Sequence, residues 1–406
     1  MISQYFTDDH ALFRQTVRQF IDAEVVPHTE TWETERRIPI TIFERMGELG
    51  YLGLPFPEAY GGTGADFWYS VVFLEELARC GMGGFTTAVS VHTFMAINHL
   101  FRVGSEALKQ KYLVPAIAGQ AVAALGISEP DAGSDVAALR CTARLERSDV
   151  SGDAYIVDGA KTFISNGMYG DFITLAVKTS MPGATTPGAS TLGLSLLLVE
   201  LSSPGVTRTK LNKMGWHSSD TAEIRFDGVR VPVENRIGAE GAGFYYLMES
   251  LQLERLVAAI MAVSGAQYAL DLTLRYLHER QAFGKPLAKF QAIRHTLADV
   301  ATEIAVAREF VYSTCWKHTQ DQNVVQECSM AKLFASELQK RTVDTCLQYF
   351  GGYGYMEDYP ICRAYRDVRV GTIAGGTSEI MREIIAKMII DGIAFQKGYE
   401  SKAIRN

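Results

Sequence analysis

The chain has 406 residues, 47% of them hydrophobic, which is enough for more than one packed core and leads us to expect two or three domains. A formal net charge of −7 without basic runs argues against a nucleic-acid groove or an anionic membrane surface as the main partner, since both need clustered Lys and Arg. The six cysteines form no CxxC pair and no zinc-like spacing, which excludes a disulfide framework as the simple reading and points to free thiols in a reducing compartment.

The opening segment from Met1 to His10 is neither a basic-then-apolar signal nor an Arg-rich transit sequence, so a cytoplasmic location is expected. No uninterrupted apolar run reaches the roughly 18 residues of a spanning helix, so no membrane span is expected. From Leu12 to about Leu113 apolar residues recur at helical spacing, as in Phe13, Val17 and Phe20, then Phe43, Met46 and Leu49, then Val72, Leu74, Leu77 and Ala78. Breaks fall at Pro55-Phe56-Pro57 and at Tyr60 to Gly64. From about Ala121 to Val231 the pattern shortens to runs of strand formers, including Tyr155 to Val157, Phe172 to Val177, Leu194 to Val199 and Ala222 to Phe226. The stretch Ser180 to Gly188 reads as a mobile loop linking two strands. After Pro232 long helical segments return at about 243–280, 289–319, 326–350 and 376–396, interrupted by Pro286 and Pro360. The expected fold is α+β and multidomain: an N-terminal α-helical domain (1–120), a middle, mostly antiparallel β-domain (121–231) and a C-terminal four-helix bundle (232–406).

Familiar signatures are missing. There is no GxGxxG opening a βαβ unit, no Walker A loop, no HExxH and no GxSxG elbow, so a Rossmann dehydrogenase, P-loop ATPase, zincin or serine hydrolase is disfavoured. The eight histidines show no paired ligand spacing, and no metal is proposed.

Six segments taken in order resemble the acyl-CoA dehydrogenase family. They are Ile127 to Asp135 (ISEPDAGSD), Lys161 to Gly167 (KTFISNG), Lys213 to Trp216 with Thr221-Ala222-Glu223, Glu279 to Gly284 (ERQAFG), Gln348 to Gly354 (QYFGGYG) and Gly375 to Ile380 (GGTSEI). The region from Ala331 to Met381 is most similar to the long-chain branch, and Leu251 to Leu256 to both the long-chain and isovaleryl branches. The resemblance implies FAD held between the β-domain and the bundle, a homotetramer in which a neighbour reaches the adenine half, and electrons leaving through an electron-transferring flavoprotein. It implies dehydrogenation of an acyl-CoA thioester to the trans-2-enoyl-CoA, with an α-proton taken by a base and a β-hydride accepted at flavin N5.

Glu254 fits the base. Its neighbours three, four and seven residues away are Leu247, Ser250, Leu251, Val257, Ala258 and Met261, so its carboxylate leaves an almost apolar stripe where desolvation should raise its pKa. By itself that pattern reads more readily as a buried Glu neutralised by an arginine elsewhere, and it is the resemblance that reverses this. Many family members carry the base in a loop reading Tyr-Glu-Gly-Thr; here it reads Ala374-Gly375-Gly376-Thr377, so the resemblance implies that the base has moved to Glu254.

The other expected site residues rest on the resemblance in the same way. Phe163-Ile164-Ser165 would flank the flavin, with Phe where Trp is more common, or form an ordinary strand. Leu125, Ile127, Ser128, Gly133 and Ser134 would approach the flavin, Ser134 also touching the CoA pyrophosphate arm, although Pro, Asp and Gly there suit a plain turn equally. Arg280, Phe283 and Gln291 would reach the neighbour's FAD, with an exposed helix-ending Arg as the alternative. Gln348, Gly351 and Gly352 mark either a flavin-phosphate approach or a helix cap. Thr377, Ser378 and Glu379 open a helix whose N–H groups suit an anion or need only capping. Tyr245, Gln252, Leu253, Arg255, Ala374, Gly375 and Gly376 fall on the substrate side, where Arg255 could equally be structural. The similarity of Ala331 to Met381 to the long-chain branch implies medium to long acyl chains, and the small Ala374 in place of Tyr leads us to expect tolerance of methyl branching. The competing readings are a flavin oxidase on the same fold and a flavin-free scaffold that binds an acyl thioester without chemistry.

Overall fold

Thr7 opens the first helix with a reciprocal cap: its side chain accepts from the His10 N–H while the His10 ring accepts from its own N–H. The computed structural model describes residues 4–150, 152–179 and 193–393, and the Ser180–Gly188 stretch lies outside them. The N-terminal domain is helical, comprising α1 (Asp8–Phe20), α2 (Thr29–Glu35), α3 (Ile40–Glu48), α4 (Phe67–Ala78), α5 (Gly83–Ser90), α6 (Ile97–Val103), α7 (Glu106–Leu108) and α8 (Val114–Ile117). The periodic residues Val17, Phe20, Phe43, Met46, Val72, Leu74 and Leu77 are all buried. A π-helical turn, Val91–Ala96, joins α5 to α6, the kind of irregularity that often marks a functional region. Within it His92 accepts the Ala123 N–H on Nδ1, so its Nε2 donates to the Ala116 carbonyl at 3.0 Å. That buried imidazole ties the helical domain to the first strand.

The strands are β1 (Ala123–Gly126), β2 (Thr142–Glu146), β3 (Ala154–Ser165), β4 (Phe172–Thr179), β5 (Leu194–Glu200), β6 (Val206–Lys210), β7 (Thr221–Pro232) and β8 (Arg236–Ile237). They form one sheet in the order β6-β7-β3-β2-β4-β5-β8, with β1 added on β4. Only the β1–β4 and β2–β4 pairs are parallel. Strand β4 is covered on both faces, which explains why its sequence shows no alternation. The sheet runs past 231, because Arg236 and Ile237 pair with Leu197 and Leu196.

The C-terminal domain contains α9 (Gly243–Glu279), α10 (Gln291–Thr319), α11 (Val325–Phe350), α12 (Pro360–Val368) and α13 (Ser378–Ile389). Pro360 occupies the first turn of α12 and so starts a helix where an interruption was expected, since its missing N–H lacks a partner there anyway. By length and composition α9 could cross a membrane, but it is the central helix of the bundle and packs on α4, α10 and α11.

Candidate active site

Glu254 sits in the middle of α9 and is 6% exposed. Its Oε1 is buried without a hydrogen-bond partner. Burial raises its pKa from 4.5 to about 7, against a smaller lowering by the Arg255 charge. Helix α6 crosses α9 here: Asn98 Nδ2 donates to Ser250 Oγ at 3.1 Å, Arg102 pairs with Glu249, and His99 Nε2 lies 3.9 Å from Glu254 Oε1.

The residues beside Glu254 divide by face. Tyr245, near the start of α9, is 43% exposed, Gln252 is buried, and Leu253 packs against the bundle core. Arg255 is buried with its Nε unpartnered. Lys332 of α11 is buried and donates to the Gly376 carbonyl at 2.6 Å. Burial, then the nearby Arg255 charge, pulls Lys332 down to about 8. This lysine fixes the loop that carries Ala374, Gly375 and Gly376. Ala374 and Gly375 are exposed, and Gly375 has φ 66°, with open space where a Cβ would stand. Gly376 has φ 96° and packs so closely that a Cβ would come within 2.6 Å of Met381 Cε. Next to this loop Thr377 caps α13 by accepting the Ile380 N–H, the Ser378 hydroxyl donates to Glu337 at 2.7 Å, and Glu379 is exposed.

A second face is built where β3 bulges. Lys161 pairs with Ile224 and Ile164 with Ala222, so one extra residue is accommodated on β3. Phe163, inside the bulge, has φ 61° and is 73% exposed. A left-handed phenylalanine that leaves the sheet for open space is costly twice over, in backbone and in apolar exposure, and is the kind of outlier that marks a site. The bulge is held from below: Thr162 N–H donates to the Ser128 carbonyl, and Lys161 Nζ donates to the Ile127 carbonyl at 3.0 Å and to Glu129 Oε1 at 2.7 Å. Glu129 also accepts the N–H groups of Arg140 and Cys141. Leu125, Ile127, Ser128 and Ser165 are half-buried, and Ile164 is buried in the sheet core. Gly133 and Ser134 are exposed, and a Cβ on Gly133 would meet nothing within 4 Å. The open ring of Phe163, with polar backbone beside it, fits a planar heteroaromatic group such as an isoalloxazine.

A third group gathers at the other end of the bundle. Arg280 lies over the Tyr353 ring, Phe283 is 94% exposed at φ 50°, and Gln291, Gln348, Gly351 and Gly352 are all exposed. Tyr276 stacked on Phe350 at 4.2 Å locks the α9 and α11 ends together. Gly351, at φ 59° and ψ −138°, adopts a backbone region essentially limited to glycine. Along α9, Arg280 is about 40 Å from Glu254, so within one chain this group does not join the Glu254 site.

Lys161, Glu129, Lys332 and His99 have no role in the sequence reading. The first two lie inside motifs noted there, but nothing in a linear pattern pairs residues 32 apart as a buried ion pair.

The comparisons agree along the whole length. Family profiles described as acyl-CoA dehydrogenase N-terminal, middle and C-terminal domains match residues 7–120, 124–229 and 241–390. The long-chain specific acyl-CoA dehydrogenase of Sus scrofa is 38% identical over 96% of this chain and 88% of its own. The isovaleryl-CoA dehydrogenase of Oryza sativa is 35% identical over 95% and 92%. Among solved structures, an acyl-CoA dehydrogenase from Geobacillus kaustophilus aligns with TM-score 0.90 at 42% identity, covering 96% of this chain and all of that one. A glutaryl-CoA dehydrogenase from Mycobacterium smegmatis, solved in complex with FADH2, aligns with TM-score 0.87 at 26% identity over 97% of both chains. The chain belongs to the acyl-CoA dehydrogenase family of flavoenzymes.

Proposed function

We propose that this protein dehydrogenates an acyl-CoA thioester between Cα and Cβ, with Glu254 as the α-proton acceptor. The observation that carries the reading is a carboxyl buried to 6% exposure on a rigid helix, with an unpartnered oxygen and a pKa raised to about 7 by desolvation, then trimmed by Arg255. Gly375 stands where relatives with a loop base carry their glutamate, and it supplies no competing carboxylate. Phe163 and the Leu125–Ser134 segment would hold FAD, which would supply the hydride acceptor. Arg255 keeps positive charge beside the base, and Lys332 holds the Ala374–Gly376 loop over the same region through the Gly376 carbonyl.

The exposed group at Arg280, Phe283, Gln291, Gln348, Gly351 and Gly352 serves the FAD of a neighbour in a homotetramer. An apolar groove of about 410 Å³ between α9 and α10, lined by Leu270, Leu274, Leu277, Ile293 and Leu297, supports burial of that end by another copy. Electrons pass to an electron-transferring flavoprotein. The small Ala374 suits medium to long acyl chains with methyl branches. A panel of acyl-CoA thioesters assayed with an artificial electron acceptor tests the reading, using Glu254→Gln as control. A protein that purifies colourless and refuses FAD, or a Glu254→Gln enzyme of normal turnover, would overturn it.

A further inference from the structure

Three side chains of α6 face the base helix in register: Asn98 meets Ser250, Arg102 meets Glu249, and His99 meets Glu254. The first two contacts are made. In the third, Nε2 of His99 and Oε1 of Glu254 are both fully buried, both without a hydrogen-bond partner, and 3.9 Å apart. That separation is too long for a hydrogen bond, and a carboxyl rotation of about 1 Å closes it. Arg255 Nε, beside Glu254 on α9, is also buried and unpartnered, but Nε2 of His99 is the unpartnered ring nitrogen that α6 brings within 3.9 Å of Oε1.

Building on the reading of Glu254 as the α-proton acceptor, we propose that His99 is the positioning residue of that base, a neutral imidazole donating Nε2–H to Oε1 and so turning Oε2 toward the substrate Cα. The α-proton goes to Oε2 as the Cα–H bond breaks, its electron pair stays on the substrate, and His99 neither gains nor loses a proton. Neutrality follows from the surroundings. Burial, then the Arg102 charge, holds the imidazole down to about 4, so His99 and Glu254 do not form an ion pair at neutral pH. The charged groups around the pair are Arg102 from α6, Glu249 and Arg255 from α9, and Lys332 from α11, beside the Cys328 thiol. On α4, Glu75 and Glu76 are taken up by Arg14, Arg18 and Tyr312; on α10, Arg308 is bonded to Gln267, and on α12, Arg363 to Glu30.

A donor to the carboxylate favours the ionised form, so its removal should raise the Glu254 pKa. The test is an infrared titration of the Glu254 carboxyl band in the FAD-loaded protein, identified by its absence in Glu254→Gln, for wild type, His99→Leu and His99→Gln. The Gln variant keeps an N–H donor and guards against a Leu variant that fails to fold. We expect the midpoint to rise by about half a pH unit or more in His99→Leu and by less in His99→Gln, with the acid limb of kcat/KM moving in parallel. An unmoved midpoint in a folded, flavin-loaded His99→Leu overturns the positioning role even when Glu254→Gln is inactive. Normal turnover of Glu254→Gln instead removes the base itself, and the positioning role with it.

Discussion

Replacing Glu254 by Gln should depress turnover strongly and at the same time make the protein more stable at alkaline pH. The carboxyl is raised from 4.5 to about 7 by burial, with Arg255 acting the other way. As pH rises above 4.5 the unfolded chain releases this proton while the folded chain keeps it, so folding loses stability until both forms are ionised above about 7. A shift of that size is worth about 3 kcal/mol. Gln has the same shape and no charge to desolvate, so Glu254→Gln escapes this cost. Denaturant unfolding of both proteins, loaded with FAD, should show similar stability near pH 4 and an advantage of about 3 kcal/mol for the Gln variant near pH 8.5. His92 and His99, both held to about 4 by burial, destabilise the fold as pH falls below 6.5; His92 acts on both proteins alike and cancels in the difference, while His99 faces the substituted side chain, so repeating the comparison in a His99→Gln background removes its contribution. A stability difference independent of pH would show that Glu254 is not held protonated, and the desolvation argument would fall. Turnover in the same variant should drop by roughly 10² or more, as when a general base is removed and its shape kept.

Lys161→Met should destabilise the protein by about 3 kcal/mol and weaken FAD retention, because Glu129 would lose its buried cation and Ile127 its carbonyl donor; a Glu129→Gln partner mutation should recover part of the loss. Urea unfolding and flavin content measure both effects, and an unaffected Lys161→Met would mean the pair does not hold the bulge. Moving the base by Glu254→Gly with Gly375→Glu should give activity above Glu254→Gly alone, but only partly, since φ 66° at position 375 costs a non-glycine residue about 1–2 kcal/mol. Ala374→Tyr should depress turnover of methyl-branched thioesters more than of straight ones, by about 1–3 kcal/mol per misfit methyl in kcat/KM; equal losses would show that Ala374 does not line the acyl pocket.

The three-part order of the chain was legible because its two periodicities differ. Val17, Phe20, Phe43 and Met46 follow helical spacing and are buried, whereas Leu49 follows it too but caps the end of α3 and is 36% exposed. Strand β4 was read as a strand from its β-formers alone, since cover on both faces erases alternation. The π turn at Val91–Ala96 was not legible, because Gly84 to Leu100 is buried on nearly every side and so carries no one-sided apolar stripe whose phase an extra residue would shift. In the site, Glu254 declared itself as a charge on an apolar stripe. His99 did not: it is one of eight histidines, and what distinguishes it is the approach of α6 to α9, a tertiary contact between two domains. Lys161 and Glu129 were hidden in the same way, each looking like an ordinary polar residue of a strand or turn until the sheet brings them to 2.7 Å.

The proposed base, Glu254 of α9, has consequences for the loop at Ala374–Gly376. At position 375 a carboxylate would start from an exposed, left-handed residue and would depend on substrate to exclude water. On α9 the carboxyl is desolvated before substrate arrives, by the packing of α6 and of the bundle, and its basicity is set by the protein itself. On that proposal the loop needs no catalytic side chain, and it consists of Ala374, Gly375 and Gly376, anchored by Lys332 through the Gly376 carbonyl. On the proposed reading, room beside the substrate and a base near neutrality both follow from a base on α9 rather than on the loop. The stability given up as pH rises from 4.5 to about 7 is the expected counterpart, since a buried carboxylate that ionises on demand must be unfavourable in the resting fold.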